Sequence, residues 1–130
     1  MKLGYVIVYV PDVSASLGLF ESAFGMQRKF LHESGMYGEI ETGQTTLAFA
    51  NHQLGDANFK GGHVHAHSSA QPLGFELGLV TDNVKQAHDK ALAAGATEVS
   101  APVEKPWGQL VSYVRCPDGL LVEICSSMDS

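Results

Sequence analysis

The sequence predicts an α+β fold made of two βαβββ halves, and three observations predict it. The apolar runs follow the same order twice: strand, helix and three strands, then a polar stretch, then strand, helix and three strands again. The two halves align at an offset of 70, which pairs Val10 with Val80, Asp12 with Asp82, Ala23 with Ala93 and Gly25 with Gly95. In each half the candidate capping Asp and the closing Gly are 13 residues apart. An internal repeat of this kind decides the architecture before any single element does.

Tyr5–Val10 (YVIVYV) is a continuous apolar run, as in a strand covered on both faces. Pro11-Asp12 ends it, and Asp12 or Ser14 can N-cap a helix in which Val13, Leu17, Phe20 and Phe24 recur at helical spacing. Gly25 suits the residue just past the helix. Residues 27–33, 35–42 and 44–50 read as strands joined at Ser34-Gly35 and Thr42-Gly43. Residues 51–72 are polar and rich in Gly, His and Ser, as in a linker or long loop. Residues 75–80 form the next strand. Asp82 can cap a helix carrying Val84, Ala87, Ala91 and Leu92, and Gly95 ends it. Residues 97–103, 109–115 and 120–126 supply the last three strands, with Cys116-Pro117-Asp118-Gly119 as a tight turn. The expected division is module 1 at about 1–58, a linker at 59–71 and module 2 at about 72–130, in one folded unit.

At 130 residues, 45% hydrophobic and 17% charged, the chain fits one ordinary globular domain. A net charge of −6 argues against nucleic acid, which needs clustered Lys and Arg, and mildly favours a cationic ligand. No basic segment followed by an apolar one opens the chain, and no apolar run approaches membrane-spanning length, so a cytoplasmic, non-membrane protein is expected. Cys116 and Cys125 flank a turn asymmetrically, which fits reduced thiols.

Glu123 is the first chemical group to explain, because a carboxylate within an apolar strand is costly to bury unless it is paired, hydrogen-bonded or metal-bound. Glu39 and Glu41 fall on one strand face with Tyr37. They face water, or else a cleft, where they would hold a cation or, with His32, move protons. Tyr5, Ile7 and Tyr9 share a face, as do Phe75, Leu77 and Leu79, and Thr45, Leu47 and Phe49. With Glu123 and Tyr113 these faces are expected to line one apolar-aromatic cleft rather than only fill the core. Trp107, beside Gly108, is placed to stack on a flat or cationic ligand. His63, His65 and His67 stand two apart and would share a face if extended, either as a metal-binding run or as a polar linker. His52 is expected near the cleft rim and His88 on the surface of the second helix.

The chain resembles the vicinal oxygen chelate superfamily, which includes glyoxalase I, bleomycin-resistance proteins, extradiol dioxygenases and fosfomycin-resistance enzymes. The resemblance lies in Val10-Pro11-Asp12 and Val80-Thr81-Asp82, Phe24-Gly25-Met26, Pro106-Trp107-Gly108, and Cys116-Pro117-Asp118-Gly119 with Val122-Glu123. It spans nearly the whole chain, though Cys116 stands where the family usually has Asp. It implies paired βαβββ modules curled around a cleft and a homodimer. It also implies metal ligands at four inward positions, which here correspond to Tyr5, Phe75, Glu123 and about Leu47. Of these, Glu123 alone is a usual ligand, and one carboxylate does not fix a catalytic metal.

The expected function is therefore cofactor-free binding of a small organic molecule, such as sequestration of an antibiotic or another cationic aromatic ligand. Two alternatives stand beside it. One is a glyoxalase-type lyase or isomerase, or a dioxygenase, in which Glu123 is catalytic at an atypical divalent-metal site or by metal-free acid–base chemistry. The other is a ligand-sensing module.

Overall fold

A computed structural model describes residues 1–128; residues 129–130, the end of the second predicted module, lie outside it. The first half runs β1 (Tyr5–Val10), α1 (Val13–Phe24), β2 (Arg28–Leu31), β3 (Tyr37–Ile40) and β4 (Thr46–Asn51). A short helix α2 (His52–Asn58) and a single 3-10 turn (Ala66–Ser68) follow. The second half runs β5 (Leu77–Val80), α3 (Val84–Ala93), β6 (Thr97–Glu104), β7 (Leu110–Arg115) and β8 (Leu121–Cys125). The α+β class and the doubled βαβββ order are thus observed. Two four-stranded sheets form, ordered β1-β4-β3-β2 and β5-β8-β7-β6, and neither closes on the other. In each, the first strand of the half pairs in parallel with the last, and the remaining pairings are antiparallel.

The local sequence explains the elements. Asp12 caps α1 by accepting the amide of Ala15 at 3.1 Å, and Gly25 closes it at φ 65°, a left-handed conformation that costs glycine little. The second helix differs from its expected start. Its cap is Asn83, which accepts the amide of Gln86, rather than Asp82. The helices are therefore offset by 71 at their start and not by 70, a shift that reappears in the site below. The segment expected as a loop after β4 holds α2, capped by Asn51 through the Gln53 amide. Its seven mostly polar residues gave no apolar periodicity to read.

The helices cover one face of each sheet. Val13, Leu17 and Phe20 of α1 pack with Val8, Val10, Ile40, Leu47 and Phe49 in one buried cluster. Phe20 meets Phe24 and Phe49 edge-on at 5.0 and 5.1 Å. Such pairs contribute about 0.5–1.5 kcal/mol each beyond area burial. The cluster continues through Val84, Ala91, Val114, Val122 and Ile124, so the halves share one core, and α1 packs on α3. Ser16 of α1 donates to Asp118 in the β7–β8 turn at 2.7 Å, both buried, and ties the halves together. His88, expected at the surface, is 1% exposed. It meets Ser112 Oγ at 2.9 Å and Glu98 Oε2 at 2.8 Å, which satisfies both ring nitrogens. A polar residue on a helix reads as exposed unless its partners, here on β6 and β7, are known.

Candidate functional site

The face of each sheet turned away from the helices carries the chemistry. In the second sheet, strand pairing sets Gly78, Glu123 and Tyr113 in one row across β5, β8 and β7. Tyr113 donates its hydroxyl to Glu123 Oε1 at 2.7 Å. That hydrogen bond, with burial, holds the phenol up at about 12. Glu76, two residues before Gly78, brings a second carboxyl to Glu123. Burial, the Glu123 charge and a hydrogen bond to Glu123 all raise its pKa above the ordinary carboxylate value. Like charges this close do not both ionise readily, and Glu76 is the carboxyl whose pKa rises. Burial and a hydrogen bond to Glu123 also raise the thiol of Cys125, the next residue on this face. Neither Glu76 nor Glu123 forms an ion pair among the described residues.

In the first sheet the matching row is Ile7, Ala48 and Glu39 across β1, β4 and β3. Glu39 is buried, accepts the Tyr37 hydroxyl at 2.7 Å and lies 3.8 Å from Lys29 Nζ. Burial and Glu39 raise the Tyr37 phenol. Both sheets thus hold a glutamate with a tyrosine hydroxyl on the helix-free face, but in the first sheet the carboxylate sits on β3 and has a lysine.

Several expected members of the cleft lie elsewhere. Leu47 and Phe49 are buried on the helix side, and Leu77 and Leu79 pack against the same core. They do not share the Glu123 face. Phase explains this: strand side chains alternate, so an assignment one residue out of register moves a whole set to the opposite face. Phe75 precedes β5 and is half exposed. The first-strand position expected at Phe75 lies seven residues before Asp82. Counted from the observed cap Asn83, it falls on Glu76, just as seven before Asp12 falls on Tyr5. Glu76 was missed for that one-residue shift, and the strand alternation Glu76, Gly78, Val80 was the signal that could have found it.

Glu41 is also displaced, because β3 ends at Ile40 and Glu41 is exposed. His32 bonds Ser34 in the β2–β3 turn and joins neither glutamate. Tyr5 and Ile7 stand exposed on the helix-free face of the first sheet, at 59% and 45%. Tyr9, on the same face, packs on Phe59 and His63. Trp107, 61% exposed, lies in the β6–β7 hairpin with its indole N–H donated to Gln109, off the Gly78–Glu123–Tyr113 row. His63 and His65 meet His52 at the start of α2. Burial and the neighbouring imidazoles hold His52 down at about 4. Both cysteines are buried free thiols.

A cavity of about 620 Å³ lies between the end of α1, β5 and the start of α3, lined by Phe24, Met26, Gly78, Leu79, Gln86 and Lys90. Glu123 is not part of its wall, but Gly78 borders both. A Cβ at Gly78 would stand 3.7 Å from Glu123 Oε2, so the missing side chain leaves the carboxylate uncovered.

The superfamily's metal positions can be tested on these donors. Module 2 offers Glu76 and Glu123, and module 1 offers the Tyr5 phenol and the Ala48 methyl in the matching places. Two carboxylates fall short of the three or so protein ligands of a catalytic metal. The set does not fit a resident metal within one chain.

The sequence model of the glyoxalase-like domain matches residues 3–129. No functionally curated protein matches the sequence. Among solved structures, a glyoxalase-related enzyme from Fulvimarina pelagi superposes with a TM-score of 0.82 at 21% identity, covering 98% of this chain and 88% of that one. A glyoxalase/bleomycin resistance protein/dioxygenase family enzyme from Burkholderia phytofirmans PsJN gives 0.78 at 23% identity, covering 97% and 98%. A member of the same superfamily from Sphaerobacter thermophilus DSM 20745 gives 0.71 at 18%, covering 98% of each chain. At these identities the likeness concerns the fold.

Proposed function

For a chain that belongs to the glyoxalase-like family of the vicinal oxygen chelate superfamily, we propose metal-free binding of a small organic cation at the Glu76–Glu123 pair. The observation that carries this reading is the pair itself: two carboxyls with no cationic partner among the described residues, the pKa of Glu76 raised by burial and by the charge of Glu123. A ligand's positive charge beside the two carboxyls would relieve the repulsion that raises Glu76. A cation bound there gains both carboxylates, with Tyr113 fixing the orientation of Glu123. Tyr5 and Trp107 are exposed rings available for stacking. The helix-free faces, with Tyr5, Ile7 and Val80 exposed, are the surfaces that a second copy of the chain would cover in a homodimer.

The acid pair also favours a second reading, an enzyme of the lyase or isomerase type. Glu76, whose pKa is raised by burial and by Glu123, would serve as general acid, with Glu123 beside it as base. Calorimetric titration of chelator-treated protein with benzyltrimethylammonium tests the binding reading. Saturable binding that weakens at least tenfold in both Glu76→Gln and Glu123→Gln is expected. Equal affinity in the three proteins would refute it. Unchanged affinity in Trp107→Ala would remove that ring from the site.

A further inference from the structure

The segment between the modules gathers histidines that the carboxylate site does not use. His52, at the first position of α2, is 7% exposed. Its Nδ1 lies 2.8 Å from His63 Nε2, its ring stacks on His65 at 3.8 Å, and His67 is tilted 5.4 Å away. Imidazole nitrogens of His52, His63 and His65 all lie within 4.8 Å of one another. The outward nitrogens, His52 Nε2 and His63 Nδ1, are buried without a hydrogen-bond partner among the described residues. The acid facing the group is Asp56, its Oδ1 3.6 Å from His63 Nδ1.

The surroundings hold these rings in place. Gly55 lies under His63: a Cβ there would come within 2.8 Å of His63 Cε1 and 3.1 Å of Tyr9 Cε1, so only glycine lets the ring lie against the helix. Arg115 of β7 reaches across and donates to the carbonyls of Ala66 and Ser69, at 2.8 and 2.9 Å, fixing the turn that carries His65 and His67. Gly119 packs its Cα against the Ala66 backbone from below. A run of histidines in a free loop has no such support. Here β1, α2, β7 and the β7–β8 turn all contribute to it.

We propose that His52, His63 and His65 form a binding site for a transition-metal dication of the zinc class, separate from the carboxylate pair. The chemistry follows from the donors. Imidazole nitrogens select zinc, nickel or copper over magnesium and calcium, which prefer oxygen. Tetrahedral ligands at 2.0–2.1 Å from zinc stand about 3.4 Å apart, so small ring rotations bring the three nitrogens to one ion. The ion would replace the His52–His63 hydrogen bond and give a buried nitrogen the partner it lacks. Solvent or His67 completes the fourth position. The bound ion pins the segment between the modules to α2.

The test uses untagged, full-length protein stripped by chelator and titrated with zinc alone, then with cobalt(II) as a spectroscopic probe. One zinc per chain, a rise in melting temperature absent with magnesium or calcium, and the intense visible bands of tetrahedral cobalt are expected. His52→Gln and His65→Gln should each weaken uptake at least tenfold, and Glu123→Gln should leave it unchanged. If His52→Gln does not fold, His65→Gln, at a position only partly buried, carries the test. Uptake well below one per chain would overturn the proposal. So would uptake unaltered by loss of His52 and His65, or uptake abolished by Glu123→Gln, which would place the ion at the carboxylates.

Discussion

Replacing Gly119 by Ala should be among the most damaging one-carbon changes in the chain, and its cost can be worked from the structure. Gly119 sits in the β7–β8 turn at φ 94°, where an L side chain is strained by about 1–3 kcal/mol. An added Cβ would also overlap the backbone of Ala66 and the amide of His67, neither of which is a flexible side-chain end. Relief requires the Ala66–Ser68 turn to lift. Lifting it breaks or lengthens the two Arg115 hydrogen bonds to Ala66 and Ser69. Bonds to a charged donor contribute about 1.5–3 kcal/mol each, part of which water restores. The sum is about 3–5 kcal/mol, a large share of the 5–15 kcal/mol typical of a domain. At roughly 3–5 °C per kcal/mol for a chain of this size, the melting temperature should fall by about 10–20 °C. Urea unfolding followed by circular dichroism measures the loss, and amide exchange at residues 66–69 locates it. A loss under about 1 kcal/mol, or unchanged protection at those amides, would refute the packing argument.

Other outcomes follow from the same geometry. Gly78→Leu places its side chain over Glu123 from a strand position of ordinary φ; ligand binding should fall at least tenfold while the urea midpoint moves little, and retained affinity would contradict the location. His88→Leu should cost about 2–4 kcal/mol despite the similar volume, because it strands the buried Ser112 hydroxyl; unfolding titration checks this, and a stability gain would contradict it. The raised pKa of Glu76 has a sign in two measurements. The stabilisation linked to the Glu76 proton is present below the ordinary carboxylate value and is lost as pH rises through the folded value. Affinity for a cation should rise over that same interval, and Glu76→Gln should flatten both profiles.

The fold was legible because it is written twice. Apolar runs, the Asp12 cap, Gly25 and Gly95 at the helix ends, and the turn at Gly119 are all local signals that the structure keeps. The site was legible only in part. Glu123 stands out because it is one charge within an apolar strand. Glu76 does not, because it precedes β5 next to Phe75, and choosing between them depends on whether Asp82 or Asn83 caps α3. Side-chain alternation then turned that one-residue ambiguity into the wrong face for Phe75, and the same phase problem put Leu47 and Phe49 in the cleft instead of the core. The His88 network and the His52 cluster were out of reach for another reason. Their partners are 24 and 11 residues away in sequence, on elements whose approach no local pattern encodes. No helix among the described residues is long and apolar enough to cross a membrane, in line with the absence of a long apolar run.

The most direct test of the central claim is carboxyl-carbon NMR of glutamate-labelled, chelator-treated protein, titrated in pH with and without benzyltrimethylammonium. The account predicts that the Glu76 carboxyl titrates above the ordinary carboxylate range in free protein and moves down when the cation binds. An ordinary Glu76 titration, with neither the Glu76 nor the Glu123 signal responding to the cation, would contradict it.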